Sequence, residues 1–305
     1  MDDDVTRKNA SLPQHFFGRV LKPGEMLEHA RYSSVRVVAE RLRPFVKRYW
    51  AVEWDLPEGE SYQTATLSEP TIHLTFEFGN SRRAHVDGPG AWVTGPVTKR
   101  RFDVGIFGRG GVFGVNFQPG ATLAFSEEKP ASIRDSTVPA ELWFPRLDAD
   151  LGLSEMFARS QRAGAPDFSE LAASVESWLL SWRPQMTPSF ERLKRVLDIL
   201  SDPEVVSLKI LAERADIGER TLQRIFSSFC GVGVKKILAR ARIIDAVAAI
   251  DRGWDGTLAD LGAHFGWFDQ SHFSTDFVRV TGFSPAEYAQ RKSAQIGRAS
   301  CRERV

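Results

Sequence analysis

Cysteine is almost missing from this chain. Cys230 and Cys301 are the only two, and they make neither a metal-ligand spacing nor a disulfide framework. Charge of either sign is not in excess: 40 Lys and Arg against 39 Asp and Glu leave a net +1. No global basic field marks a nucleic-acid binder, so any such surface has to be local. No apolar run is long enough to span a bilayer. The opening MDDDVTRKNASLPQ lacks the basic start and apolar core of a secretion signal. These absences set the expectation of a cytoplasmic protein with no membrane partner. Also missing are a nucleophile elbow, a phosphate loop and a paired-carboxylate motif. The chain is expected not to be an enzyme and to have no catalytic residue, metal or cofactor.

What is present divides into two textures. At 305 residues the length suits two domains, each able to bury a core. From about Phe45 to Phe125 the texture is β: RYWAVEW (Arg48 to Trp54), TIHLTFEF (Thr71 to Phe78) and VFGVNF (Val112 to Phe117) are separated by turn signals. GRGGVFG, Gly108 to Gly114, precedes a strand and reads as a turn. From Ala149 onward the texture is helical. Asp167 to Trp182 opens on a plausible N-cap, and Ser189 to Leu200 is a second amphipathic helix. Pro184 and Pro188 mark the main boundary. The expected organisation is a disordered N-terminus (1–15), a β-rich domain (16–145), a helical connector (146–187), a helical domain (188–292) and a tail (293–305). The last ten residues, IGRASCRERV, read as translated sequencing adapter. The natural C-terminus beyond Gln295 is then open, and the tail's basic residues do not count toward binding.

The helical half repeats itself. Leu208 and Leu211 correspond to Leu258 and Leu261 at an offset of 50; Leu222, Phe226 and Gly231 correspond to Phe273, Phe277 and Gly282 at 51. Each copy reads as helix, tight turn, helix, so a helix-turn-helix occurs twice. In the first copy Leu222, Ile225, Phe226 and Phe229 face the core, leaving Arg220, Gln223, Arg224 and Ser227 outside. In the second, Phe273, Phe277 and Val280 are core, while Gln270, Ser271, Ser274 and Thr275 project near the helix start and Asp269 caps it. Recognition helices use their N-terminal residues on base edges, where Arg suits guanine and Gln suits adenine. His272 suits packing, capping or a phosphate hydrogen bond. Arg220, Arg224, Lys235, Lys236, Arg240 and Arg242 fall in a segment without acids until Asp245, a basic strip for phosphates. Val234 to Arg252 reads as one helix of roughly 28 Å, against about 34 Å for a turn of DNA. It could hold both motifs on one face of a duplex.

The β half leaves more readings open. His73 and Glu77 are four apart on one strand and share a face, the best metal pair in the chain. They lack a third ligand, which favours an ordinary polar strand face. Trp50, Trp54 and Trp92 read either as core or as the walls of a small-molecule pocket.

The segment from about Ser207 to Arg291 resembles the DNA-binding domain of AraC/XylS-type transcription regulators. Ala212, Leu222, Arg224, Phe226, Gly231, Arg242 and Ala246 carry the likeness in the first copy. Gly266, Phe268, Asp269, His272, Phe273, Phe277, Gly282, Ser284, Pro285 and Tyr288 carry it in the second. The resemblance implies double-stranded DNA as partner. Its contact set is Arg220, Gln223, Arg224, Lys236, Arg240, Gln270, Ser271, His272, Ser274 and Thr275. Departures are Gly218 where a capping Ser is usual, Val234 where Pro is usual, Gly262 for a common Ala, and Thr275 where some members carry Arg. LRPFVKRYWAVEW, GPGAWVTGP and GVFGVNFQPG resemble the cupin-like sensor domain of a subset of these regulators. The expected fold is α+β in two domains: a β-rich, cupin-like barrel or sandwich, then an all-α domain with two helix-turn-helix motifs. The implied function is a sequence-specific transcription regulator. Its first half senses a small-molecule effector or dimerises, and RNA polymerase is a further candidate partner. The alternative is a cupin-type metal enzyme or ligand-binding protein fused to a DNA-binding domain.

Overall fold

A computed structural model describes residues 19–290, apart from 22, 36, 38, 69, 70, 85, 87, 203 and 206. The expected disordered N-terminus and the tail from 293 lie outside the described residues. The β-rich half is one antiparallel sheet of eight strands: β1 (Arg19–Leu21), β2 (Arg31–Val35), β3 (Val46–Asp55), β4 (Ser61–Leu67), β5 (His73–Arg83), β6 (Gly90–Thr94), β7 (Phe102–Phe117) and β8 (Thr137–Pro139). A short helix α1 (Pro23–His29) lies between β1 and β2. The sheet is organised around β7. Along one edge β7 pairs with β5; along the other it pairs with β4 up to Phe107 and with β3 from Arg109 onward. The sheet therefore splits into two arms on that edge.

GRGGVFG is not a turn but the middle of β7. The glycines are there because bulky rings from other segments lie on the strand. A β-carbon on Gly110 would run into the indole of Trp54, and one on Gly114 into the indole of Trp50. Local composition signals a turn; the cross-strand tryptophans on β3 decide for a strand.

Alternation along the strands gives the sheet two faces. Tyr49, Leu74, Phe76, Phe78, Phe113, Val115 and Phe117 are buried on one face. The helices α2 (Leu147–Leu151), α3 (Leu153–Ala163) and α4 (Phe168–Ser181) cover it. Phe168 packs on Phe78 and Phe113, with ring centroids 6.0 and 6.2 Å apart. Asp167 caps α4 by accepting from the Ser169 N–H.

The helical half comprises α5 (Pro188–Leu200), α6 (Leu208–Ala215), α7 (Glu219–Cys230), α8 (Val234–Arg252), α9 (Leu258–His264), α10 (Gln270–Thr281) and α11 (285–290). It is docked on the β half. The core of the first helix pair is continuous with the helix-covered face of the sheet, whereas the second pair has its own core, closed by Leu21, Ala65 and Leu67 of β1 and β4. Three arginines fasten the halves. Arg134 Nε donates to Gly231 O at 2.8 Å, just past α7. Arg240, on α8, donates to Ser68 O at 3.1 Å and Arg100 O at 3.3 Å. Arg101 donates to Thr281 O at 2.9 Å, at the end of α10, and stacks 4.7 Å over Phe283. The C-terminal ends of α7 and α10 are thus held from the β half, and their N-terminal ends are left uncovered. Among the described residues, no helix is long and apolar enough to cross a membrane.

Candidate nucleic-acid interface

Each helix pair is built by the same physical means. In the first, Ser207 caps α6 by accepting from the Ile210 N–H at 3.2 Å, and Asp216 takes the left-handed conformation that ends it. Gly218 starts α7 with no side-chain cap. Leu222 and Phe226 are fully buried, one turn apart, and Ile225 and Phe229 are half-buried against them. That anchoring leaves Arg220, Gln223, Arg224 and Ser227 exposed on the opposite side. Lys235 and Lys236 are exposed in the first turn of α8. Cys230 is buried, and burial pushes its thiol up to about 12, which keeps it unreactive.

In the second pair a capping box between Thr257 and Asp260 starts α9, and Asp269 accepts from the His272 N–H at 2.8 Å to start α10. Phe273 and Phe277 are fully buried. Gln270, Ser271, His272 and Thr275 are exposed and Ser274 is half-buried. Asp276 is buried beneath them. It accepts from Trp267 Nε1 at 3.0 Å and from Arg279 at 2.5 Å, and lies 3.4 Å from His272 Nε2.

The structure redraws three features. Arg240 leaves the basic strip: it is 5% exposed and bound to two backbone carbonyls of the β half. Burial lowers it to about 10, so it stays charged at neutral pH. Arg242 turns inward too, donating to Gly266 O at 3.1 Å and stacking 4.9 Å over Trp267. Periodicity placed both on a helix but could not say which side the β half would cover. Third, the aromatic that closes the second core is Trp267, and Phe268, assigned to the motif, is 99% exposed immediately before the cap of α10. No sequence signal separates the two neighbours; only the Trp267–Asp276 hydrogen bond does.

The sheet's other face lines a cavity of about 200 Å³. Its walls are Trp50, Val52 and Trp54 of β3, Val104, Ile106 and Val112 of β7, and Met26 and Tyr32 beyond them. His73, Thr75 and Glu77 face it from β5, in the alternation expected of one strand face. Glu77 is committed to Arg83 in a buried ion pair. Arg83 Nε donates to Glu77 at 2.8 Å, and its remaining N–H groups reach Glu77, Thr75, Thr94 and Thr137. A metal at His73 and Glu77 would have to displace that guanidinium, so the two residues do not fit one. Among the described residues, no group of three or more His, Cys, Asp or Glu is placed to hold a metal.

His73 is half-buried, but its Nε2 is shielded from solvent and hydrogen-bonded to nothing. Burial first, then the positive charges of Arg48, Lys47 and Arg83, push its pKa down to about 3. Between that value and about 6.5 the unfolded chain binds a proton that the folded chain does not, so stability is lost as pH falls through this window. From pH 7 to pH 5 the expected loss from this group is about 2 kcal/mol. Urea unfolding at both pH values should show that excess in the wild type over His73→Gln; an equal loss would mean the ring is protonated in the fold.

Comparison with known proteins follows the same division. Residues 211–291 match a helix-turn-helix domain, and residues 38–139 match a domain of unknown function, DUF6597. The chain is similar to the HTH-type transcriptional activator RhaS of Escherichia fergusonii, with 32% identity over 107 residues, 34% of this chain and 38% of RhaS. It is also similar to the HTH-type transcriptional activator RhaR of Yersinia pseudotuberculosis, with 32% identity over 73 residues, 24% of this chain and 25% of RhaR. The matches thus span well under half of either relative. Among solved structures, ToxT of Vibrio cholerae aligns over 86% of this chain and 98% of its own, at 10% identity and a TM-score of 0.37.

Proposed function

We propose that the chain is a cytoplasmic, sequence-specific transcription regulator of the AraC type that reads double-stranded DNA with both motifs. The observation that carries the reading is the pair of recognition helices whose exposed N-terminal ends sit on a single linking helix. α8 has 19 residues, about 28 Å, close to the 34 Å of a DNA turn. Arg220, Gln223 and Arg224 then meet one major-groove segment, and Gln270, Ser271, Ser274 and Thr275 the next, with Lys236 and His272 on phosphates. Phe268 joins this surface, its ring suited to a thymine methyl or the sugar edge. Arg240 works from behind, as a fastening. The sheet domain (16–145) is the sensor, the connector (146–187) supports it, and 188–292 bind DNA without catalysis. A second copy of the chain and RNA polymerase are the protein partners this reading brings with it.

Selection of bound fragments from random duplex DNA by the full chain tests it. The expected result is two short boxes about one turn apart. Recovery of no motif, by the full chain and by residues 188–295 alike, would sink sequence-specific binding. Within that reading, Arg224→Ala should cost about 1–3 kcal/mol on the selected site and relax base preference. Lys236→Ala should weaken selected and random DNA alike and flatten the salt dependence. Equal losses on both DNAs for Arg224→Ala would remove it from the base readers.

A further inference from the structure

We propose that the two motifs read boxes of opposite composition: the first a box anchored on G·C pairs, the second an A·T box recognised through thymine methyl groups. The proposal rests on the DNA-reading role just assigned and names the bases that each motif takes.

The internal repeat allows a comparison position by position. Leu222, Phe226 and Cys230 are buried in α7, and their counterparts Phe273, Phe277 and Thr281 are buried in α10. The two helices therefore turn the same positions outward. At that offset of 51, Arg220 and Arg224 correspond to Ser271 and Thr275. Glu219 corresponds to Gln270, Gln223 to Ser274 and Ser227 to Val278.

On α7, Glu219, Arg220, Gln223 and Arg224 are all exposed. Arginine takes guanine O6 and N7 with two hydrogen bonds, and a carboxylate accepts from cytosine N4. Glu219, Arg220 and Arg224 thus suit G·C pairs, and Gln223 suits adenine.

That chemistry is missing from α10. Between Gly253 and Gln290 the sequence has no Lys and no Arg except Arg279, and the Arg279 guanidinium is bound to Asp276 at 2.5 Å. His272 Nε2 lies 3.4 Å from the same carboxylate, and the one ring nitrogen left does not make a two-bond pair with guanine. What α10 offers is Gln270, which suits adenine, and carbon. Thr275 and Val278 stand about one turn apart on it, and Phe268 stands just before its cap. Phe268 is 99% and Val278 44% exposed, and Thr275 is exposed as well. Apolar groups held in water gain from being covered. In the major groove the apolar feature of a base is the C5-methyl of thymine, which threonine methyls and phenyl rings contact. A site with unlike boxes has a direction, so one chain lies on it in a single orientation.

The test uses the full chain and the duplex it selects, with one box modified at a time. 2′-Deoxyuridine in place of thymidine removes only the C5-methyl groups, and 7-deazaguanine in place of guanine removes N7. Deoxyuridine in the second box should weaken binding about fourfold for each contacted methyl. 7-Deazaguanine in the first box should weaken it about fivefold or more. Deoxyuridine in the first box and 7-deazaguanine in the second should leave affinity unchanged. Phe268→Ala, Thr275→Ser and Val278→Ala together should abolish the response to deoxyuridine and keep the response to 7-deazaguanine; Arg220→Ala with Arg224→Ala should do the reverse. A second box without thymine overturns the proposal while the two-motif reading stands. So does a modification without effect in its own box, or a response to deoxyuridine that survives in the triple variant. Recovery of no motif at all sinks the DNA-reading role and this inference with it.

Discussion

Phe273→Ala should cost about 3–5 kcal/mol and should open the second helix pair while the first keeps its structure. Phe273 is fully buried between Trp267, at a centroid distance of 5.0 Å, and Phe277, at 5.6 Å; Tyr288 closes the far side of Phe277 at 5.9 Å. The core they form is small and separate from the main one. The site has little means of collapsing around a truncated residue, because α9 already lies close: a β-carbon on Gly262 would stand 3.2 Å from that of Phe273. Leu222 occupies the equivalent place in the first pair, but within the large core shared with the sheet. Hydrogen exchange should show faster exchange in α9 and α10 of Phe273→Ala, with α6 and α7 protected as before. On selected DNA the footprint should shrink to one box. Uniform loss of protection through all helices would show instead that the two pairs melt as one unit.

The two helix pairs were legible in the sequence because their information is local. Leu222 and Phe226, like Phe273 and Phe277, recur one helical turn apart, Asp269 caps the N–H of His272, and Val234 to Arg252 form one helix. Gly262 reads as a loss of helix propensity, and the structure gives the reason for it in the tight approach of Phe273. What could not be read depends on partners distant in sequence. The glycines of β7 signal a turn until Trp50 and Trp54 are laid over them. Arg240 belongs to a basic segment until Ser68 and Arg100, more than a hundred residues earlier, claim its donors. The choice between Trp267 and Phe268 rests on a hydrogen bond to Asp276 that composition does not reveal. The cavity was visible only as tryptophans on one strand and a His and a Glu on another; the splitting of β7 between β3 and β4 is what brings them to one place.

Glu77→Ala should destabilise the sheet domain by about 3–5 kcal/mol, the usual result of removing one partner of a buried pair. Arg83 would be left charged at 8% exposure, with only hydroxyls around it. The consequence extends beyond β5, because Arg83 is bonded to Thr94 of β6 and Thr137 of β8 and so ties three strands at the floor of the cavity. The double variant Glu77→Leu with Arg83→Met separates charge from packing. It removes the pair together and leaves Thr94 and Thr137 bonded to each other at 3.0 Å. Only Thr75 and Ser81 then lose their partner, and most of the stability should return. Urea midpoints of the wild type, Glu77→Leu, Arg83→Met and the double variant give the coupling directly. If the double variant is no more stable than Glu77→Ala, the strain of a lone buried guanidinium is not the cause. The hydroxyl network around Arg83 would then carry the stability of the floor, and the same residues would be too interlocked for a ligand to rearrange.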